Sequence, residues 1–319
     1  MQEYTVFAWF EYWLNTYVKN SVKQSTYATY RGYINSHIQP SSIGNILLEE
    51  LTIEKLQLFY NEKYNNGNLK TGGSLNPKTI RNIHLMIHEG LHFACGLDII
   101  TKNVSKYVRL PKLQKKKIQI LSLVQQKKLI EICKNETMGF GIYLTMATGI
   151  RLGELLGLNW KDVDLEENTI TICQTLNRLP NYDEGETKTD IVIGTPKSQQ
   201  SFRIIPLNYE LARVMSEYKS KTGNISPFVI CNEIGQPIEP RTYQDNFKRY
   251  MIRAGISGVT FHGLRHTFAI RALEKNIQVK IVSELLGHSS VTITMDLYYS
   301  YISHELKKEA IQKLSFLSI

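Results

Sequence analysis

Leu285-Leu286-Gly287-His288-Ser289-Ser290-Val291-Thr292-Ile293-Thr294-Met295-Asp296-Leu297-Tyr298-Tyr299-Ser300-Tyr301 carries a helix end, a junction and a new helix start in one short stretch. Gly287 reads as the end of the first helix, because glycine tolerates the left-handed backbone that closes one. Ser290 or Thr292 reads as the start of the next, each offering a hydroxyl as a cap. His288 is left at the junction, where a side chain can face a cleft. Tyrosines follow it at ten, eleven and thirteen residues. The chain holds 18 tyrosines, so none is distinctive by itself, and packing is their commonest role.

Two segments upstream give that junction a context. In Phe261-His262-Gly263-Leu264-Arg265-His266-Thr267-Phe268 the H-x-x-R spacing puts His262 and Arg265 on one helix face, one turn apart. Arginine can bridge two phosphate oxygens, and histidine can donate a hydrogen bond or move a proton. In Ala147-Thr148-Gly149-Ile150-Arg151-Leu152-Gly153-Glu154-Leu155-Leu156-Gly157-Leu158, Gly149 can make the turn into a helix with Arg151 in its first turn. A helix N-terminus is already positive, so an arginine there suits a bound anion better than it suits the helix. Glu154 can hold Arg151 through an i,i+3 pair, a structural task.

Arg151, then H-x-x-R, then L-L-G-H-S-S, then a tyrosine about ten residues on resembles the tyrosine recombinase family of phage and conjugative-transposon integrases. The match runs from Ala147 to Tyr298 in the family's order. The joint occurrence is far more specific than any one motif. Thr195-Pro196-Lys197-Ser198-Gln199-Gln200-Ser201-Phe202-Arg203-Ile204-Ile205-Pro206-Leu207 is similar to the family's β-hairpin, and Lys197 matches its catalytic lysine. Arg203 reads as structural or as a phosphate contact.

The resemblance implies a chemistry. Arg151 and Arg265 clamp the non-bridging oxygens of a phosphodiester, where charge grows in the transition state. Tyr298 attacks phosphorus. A tyrosine hydroxyl, with an ordinary pKa of about 10, is mostly neutral and needs a proton acceptor, for which His262 is the candidate. Lys197 supplies the proton to the leaving 5′-oxygen, and His288 hydrogen-bonds the phosphate. The 3′-phosphotyrosine keeps the bond energy, so strands rejoin without ATP, metal or any other cofactor. Tyr299 stays open as the alternative nucleophile, because the family often continues Y-S-H and Tyr299-Ser300-Tyr301 meets that pattern better. A helix turns about 100° per residue, so only one of the adjacent pair can face the phosphate. A type IB topoisomerase shares the chemistry, but L-L-G-H-S-S favours recombination. An inactive DNA-binding regulator would have no need for all six side chains, and a metal-dependent nuclease would stop in EDTA.

The rest of the chain agrees with two domains. Residues 1–110 read as an all-α bundle, similar to the family's core-binding (SAM-like) domain. Phe7, Phe10, Trp13 and Leu14 recur at helical spacing; Ser25 and Thr52 are candidate caps; Asn65-Asn66-Gly67-Asn68 is a turn cluster; Asn76-Pro77 opens a helix carrying Ile80, Ile83, Ile87 and Leu91. Residues 111–117, with a proline and four lysines, read as a basic linker that can also touch phosphates. Residues 118–319 read as a mainly α, α+β catalytic domain with a small antiparallel sheet, from strands at Thr169–Gln174, Ile191–Thr195 and Phe202–Leu207. Ser303 to Phe316 is an amphipathic tail helix, which in the resembling family docks on a neighbouring protomer. No stretch resembles the family's arm-binding domain, which fits either a simple two-domain recombinase or a shortened chain.

Composition is consistent with this. Lys and Arg outnumber Asp and Glu by 38 to 29, a formal charge of +9 that favours a polyanion. The partners implied are double-stranded DNA recombination sites, further copies of the chain (a dimer per site, a tetramer at synapsis) and DNA-bending accessory factors. Tyr27–Arg31 and Thr79–Arg81 are candidate groove readers. No apolar run reaches the length of a membrane span, and the N-terminus lacks a signal-peptide pattern, so a cytoplasmic place without membrane contact is expected. Cys95, Cys133, Cys173 and Cys231 are far apart without a C-x-x-C pair, which argues against zinc and for buried, reduced thiols.

Overall fold

The computed structural model describes residues 3–113, 118–134, 136–181, 189–195, 199–223, 225–301, 308 and 311–312. The chain divides into two compact units, Met1–Lys115 and Lys116–Ile319.

The first unit is helical throughout, with α1 (Val6–Trp13), α2 (Gln24–Tyr33), α3 (Ile53–Asn66) and α4 (Pro77–Gly96). Helices α1 and α2 each run on as a π-helical turn, Leu14–Val18 and Ile34–Ile38. Lys19 and Gln39 close these turns by donating to carbonyls five residues back, on Leu14 and Ile34. Trp9, Phe10, Trp13 and Leu14 interlock with Ile80, Ile83, Ile87 and Leu91 in one core. A buried indole N–H needs an acceptor, and Trp9 Nε1 donates to the Gly90 carbonyl at 3.0 Å. Thr52 caps α3 by accepting from the Lys55 N–H at 3.2 Å, and Asn76 caps α4 by accepting from Lys78 at 2.9 Å. Ser25 does not cap. Helix α2 starts one residue earlier with Lys23 in the cap position, and the Ser25 carbonyl instead accepts from the Thr29 hydroxyl. Asn65 and Asn66 finish α3 rather than turning, and the loop begins at Gly67.

The second unit contains α5 (Leu123–Cys133), α6 (Thr137–Thr148), α7 (Leu152–Gly157), α8 (Tyr209–Thr222), α9 (Pro240–Arg253), α10 (Phe261–Glu274), α11 (Val279–Leu286) and α12 (Val291–Tyr301). Two small antiparallel sheets stand where one was expected. One is β1 (Val163–Asp164), β2 (Thr169–Ile172) and β5 (Arg203–Pro206), in the order β1-β2-β5; the other pairs β3 (Thr175–Pro180) with β4 (Thr189–Gly194). Strand β3 escapes a pattern search because Leu176 is its one buried residue, so no alternation marks it. Helix α10 is buried on nearly every side, from Phe261 through Leu273. Its apolar residues, from Phe261 through Leu264, Ala269 and Ile270 to Leu273, seat it in the interior, and Arg265 is buried with them.

All four cysteines are free thiols, but only Cys133 and Cys231 are buried; Cys95 and Cys173 are half-buried. Burial pushes the Cys133 thiol up to about 12, with Glu136 adding to the shift. Among the described residues no helix is long and apolar enough to cross a membrane. Lys197, most of the basic linker and nearly all of the expected tail helix lie outside the described residues.

Candidate active site

Two helix ends build the site. Helix α6 closes on Gly149 at φ 67° and α11 closes on Gly287 at φ 61°, both left-handed. Space as well as backbone demands glycine. A Cβ on Gly149 would lie 2.6 Å from Leu286 and 2.7 Å from Phe268, and one on Gly287 would lie 2.9 Å from the Gln200 carbonyl oxygen. The last carbonyls of a helix have no partner within it and carry partial negative charge. Here arginines take them up. Arg265 donates from Nη1 to the Gly149 carbonyl at 2.7 Å and from Nη2 to the Leu286 carbonyl at 2.5 Å. Arg151 donates from Nη2 to the Gly287 carbonyl at 2.8 Å. Arg265 thereby spans both caps, and Arg151, from a separate motif, shares the end of α11 with it.

Glu154 braces Arg151 from behind, tying it to Arg203. Arg151 occupies the cap position of α7, one residue earlier than the first turn. Its Nη1 donates to Glu154 at 2.7 Å, and its backbone N–H donates to the other carboxylate oxygen at 3.0 Å. Arg203 donates from Nη1 and Nη2 to the same carboxylate at 3.1 and 2.9 Å, and from Nε to the Leu285 carbonyl at 2.7 Å. Arg203 is thus structural, nearly as buried as Glu154 itself. Burial alone would push the Glu154 carboxyl up, but Arg203 and Arg151 hold it below its ordinary value. Burial and the neighbouring Arg151 push Arg265 down to about 9, which still leaves it a cation at neutral pH. Three guanidiniums therefore face one carboxylate, and the local surplus is positive.

Three histidines surround this surplus. His262 lies in the first turn of α10; desolvation of its ring, then Arg265 and Arg151, hold its pKa below normal. His266 packs edge-on against it, with ring centroids 4.5 Å apart, and burial pushes it down to about 4. His288 falls to about 3, through burial first and then Arg265, Arg151, His262 and His266. All three are neutral at neutral pH, so they can accept or donate hydrogen bonds without adding charge. His288 is held by its backbone N–H, which donates to the Ser283 carbonyl at 3.1 Å, and by a 2.8 Å bond between Nδ1 and the Thr294 hydroxyl.

The geometry thus brings Arg151, Arg265, His262 and His288 together. Tyr298 lies on α12, half-buried against the apolar cluster of Ala269, Ile270, Leu286 and Leu297. Tyr299 is 65% exposed. Among the described residues no hydrogen bond or ion pair ties Tyr298 to the arginines. His266 and Thr294 were not singled out from sequence. His266 follows the H-x-x-R arginine directly, and Thr294 sits one helical turn before Tyr298, the signals by which they could have been found. Among the described residues no cluster of His, Cys, Asp and Glu is arranged to hold a metal ion.

The phage integrase family matches residues 119–304, and the N-terminal SAM-like domain of phage integrases matches residues 5–64. A XerC-like tyrosine recombinase of Caldanaerobacter subterraneus is 27% identical, with 96% of this chain and 82% of that protein covered. The ICEBs1 integrase of Bacillus subtilis is 26% identical, with 92% and 78% covered. Among solved structures, the Tn1549 transposon integrase in complex with transposon right end DNA superposes with a TM-score of 0.79 at 21% identity, covering 98% of this chain and 100% of that one.

Proposed function

The chain belongs to the phage integrase family of tyrosine recombinases, and on that premise we propose that it integrates or excises a mobile element at specific DNA sites through a 3′-phosphotyrosine intermediate. The observation that carries this is the positive surplus at the two helix caps. A phosphodiester brings one negative charge and gains more on its non-bridging oxygens as the nucleophile closes. Arg151 and Arg265 receive those oxygens. Their carbonyl and carboxylate partners hold them in place beforehand, so little reorganisation is needed when charge develops.

Tyr298 Oη forms the new bond to phosphorus while the bond to the 5′-oxygen breaks. The phenolic proton goes to His262, which is neutral and free to take it. Lys197 gives a proton to the departing 5′-oxygen. His288 donates a hydrogen bond to a phosphate oxygen. A 5′-hydroxyl from a second duplex then attacks the phosphotyrosine and reverses each transfer. Residues 1–110 grip the duplex as the core-binding domain and residues 118–319 cut it. Two copies occupy a site and four form the synapse, coupled by the tail helix beyond Ser303, with DNA-bending proteins assisting in the cytoplasm of a bacterial or phage-infected cell. The ICEBs1 integrase of Bacillus subtilis, 26% identical, supports the mobile-element reading.

A nicked suicide duplex tests the nucleophile, because the cleaved end diffuses away and leaves the covalent complex. Tyr298→Phe is expected to abolish capture, and Tyr299→Phe to leave it within about threefold of wild type, a difference of well under 1 kcal/mol. Full capture by Tyr298→Phe with loss in Tyr299→Phe would move the nucleophile one residue on.

A further inference from the structure

Thr294 is wholly buried and stands in α12 one turn before Tyr298. A hydroxyl has one hydrogen to give. A helical threonine often gives it to the carbonyl four residues back, and Thr29, Thr145, Thr148, Thr222 and Thr267 all do so here. Thr294 makes no such bond. Its Oγ1 lies 2.8 Å from Nδ1 of His288, and among the described residues that nitrogen is its one side-chain partner.

Two proton arrangements fit the distance. In the first, the imidazole donates Nδ1–H to the hydroxyl, and the hydroxyl hydrogen is then buried with no acceptor. In the second, the hydroxyl donates to a bare Nδ1, and no buried hydrogen is left over. Buried donors are nearly always satisfied, so the second holds. We infer that Thr294 is a positioning residue that donates its hydroxyl hydrogen to His288 Nδ1 and thereby places the ring proton on Nε2.

The consequence rests on the assignment of His288 as a phosphate ligand. A neutral imidazole has one N–H, and the wrong tautomer would offer a phosphate oxygen only a lone pair. With Nδ1 occupied as an acceptor, Nε2–H is the donor, and the ring supplies it without a charge. The groups facing His288 are Arg265, Arg151, His262 and His266, and with burial they keep the ring neutral. Its capacity to donate near neutral pH therefore depends on tautomer rather than on protonation. The same bond ties the junction after α11 to the helix that carries Tyr298, so nucleophile and phosphate ligand are adjusted together.

The test uses the full chain. Nitrogen-15 NMR of the His288 ring reads the tautomer directly, and single-turnover capture on a saturating nicked duplex reads the chemistry. Wild type is expected to show Nε2–H, and so is Thr294→Ser, which keeps the hydroxyl. Thr294→Val, nearly the same shape without it, is expected to shift toward Nδ1–H. Its capture rate should fall roughly ten- to a hundredfold, the scale of one weakened transition-state hydrogen bond. Duplex affinity should be unchanged and Thr294→Ser should restore the rate. An Nδ1–H ring in wild type would overturn the inference, and that measurement needs no variant to fold. So would a Thr294→Val chain that captures at the wild-type rate while His288→Phe does not. A His288→Phe chain that captures normally would instead overturn the role given to His288 itself, whatever the tautomer proves to be.

Discussion

Arg265 holds its charge in the interior because two helix-end carbonyls accept from it and the Glu154 carboxylate lies nearby. The histidines beside it bear the cost of that concentration of charge, and the cost has a pH signature. Unfolded, His266 and His288 titrate near the ordinary 6.5; folded, they titrate near 4 and 3. Below the ordinary value the unfolded chain takes up protons that the fold refuses. The stability they permit is therefore complete above about pH 6.5 and is lost as pH falls toward 4 and 3, by up to about 1.4 kcal/mol per pH unit for each ring. Thermal unfolding followed from pH 8 to pH 4 should show a melting temperature that is flat at first and then declines. His266→Gln should make that decline shallower. A decline of the same slope in the variant would mean that other groups control acid stability.

Helix ends are the elements that matter most here, and glycine is what lets two of them meet. Gly149→Ala places a side chain at a left-handed φ, which costs about 1–2 kcal/mol before any clash. The added Cβ also meets the Leu286 and Phe268 side chains, which must shift to admit it. Chemical denaturation is expected to show a loss larger than the backbone term alone, together with slower capture because Arg265 loses its carbonyl seat. Gly32 is the control: it lies within α2 with nothing within 4 Å of a built Cβ, and Gly32→Ala should stabilise by about 0.5–1 kcal/mol. A Gly149→Ala chain as stable as wild type would show that the caps are not packed as described. Such ends were largely legible in the sequence, since Thr52, Asn76-Pro77, Gly149 and Gly287 act through near neighbours. Ser25 misled because α2 begins before it, at Gln24, with Lys23 in the cap position and no side-chain cap bond, and β3 was hidden because tertiary contact with α7 and β4, rather than alternation, makes it a strand.

Across the whole molecule, what the sequence concealed is partnership over long chain separations. H-x-x-R marks a helix face from spacing alone, yet the seat of Arg265 is Gly149, 116 residues away, and Arg151 reaches Gly287 across 136. Those pairings follow from packing around α10, which no local pattern encodes. The separation into two units, in contrast, follows from composition at Pro111–Lys117 and from where the apolar residues fall. The first unit's core runs from Val6 to Val104, and the cores of the second run from Leu121 to Leu297. A unit of this size with its own core should fold without the other. Residues 1–113 expressed alone are expected to show a helical circular dichroism spectrum and a single cooperative melt. If this unit is the gripping half of a recombinase, it should also bind duplex DNA without forming any covalent product. Its affinity should fall with salt, with a logarithmic slope of about −0.9 for each phosphate neutralised. A melt without cooperativity would show that the first core depends on the second unit, and a cooperative fragment whose binding ignores salt would remove it from the DNA backbone.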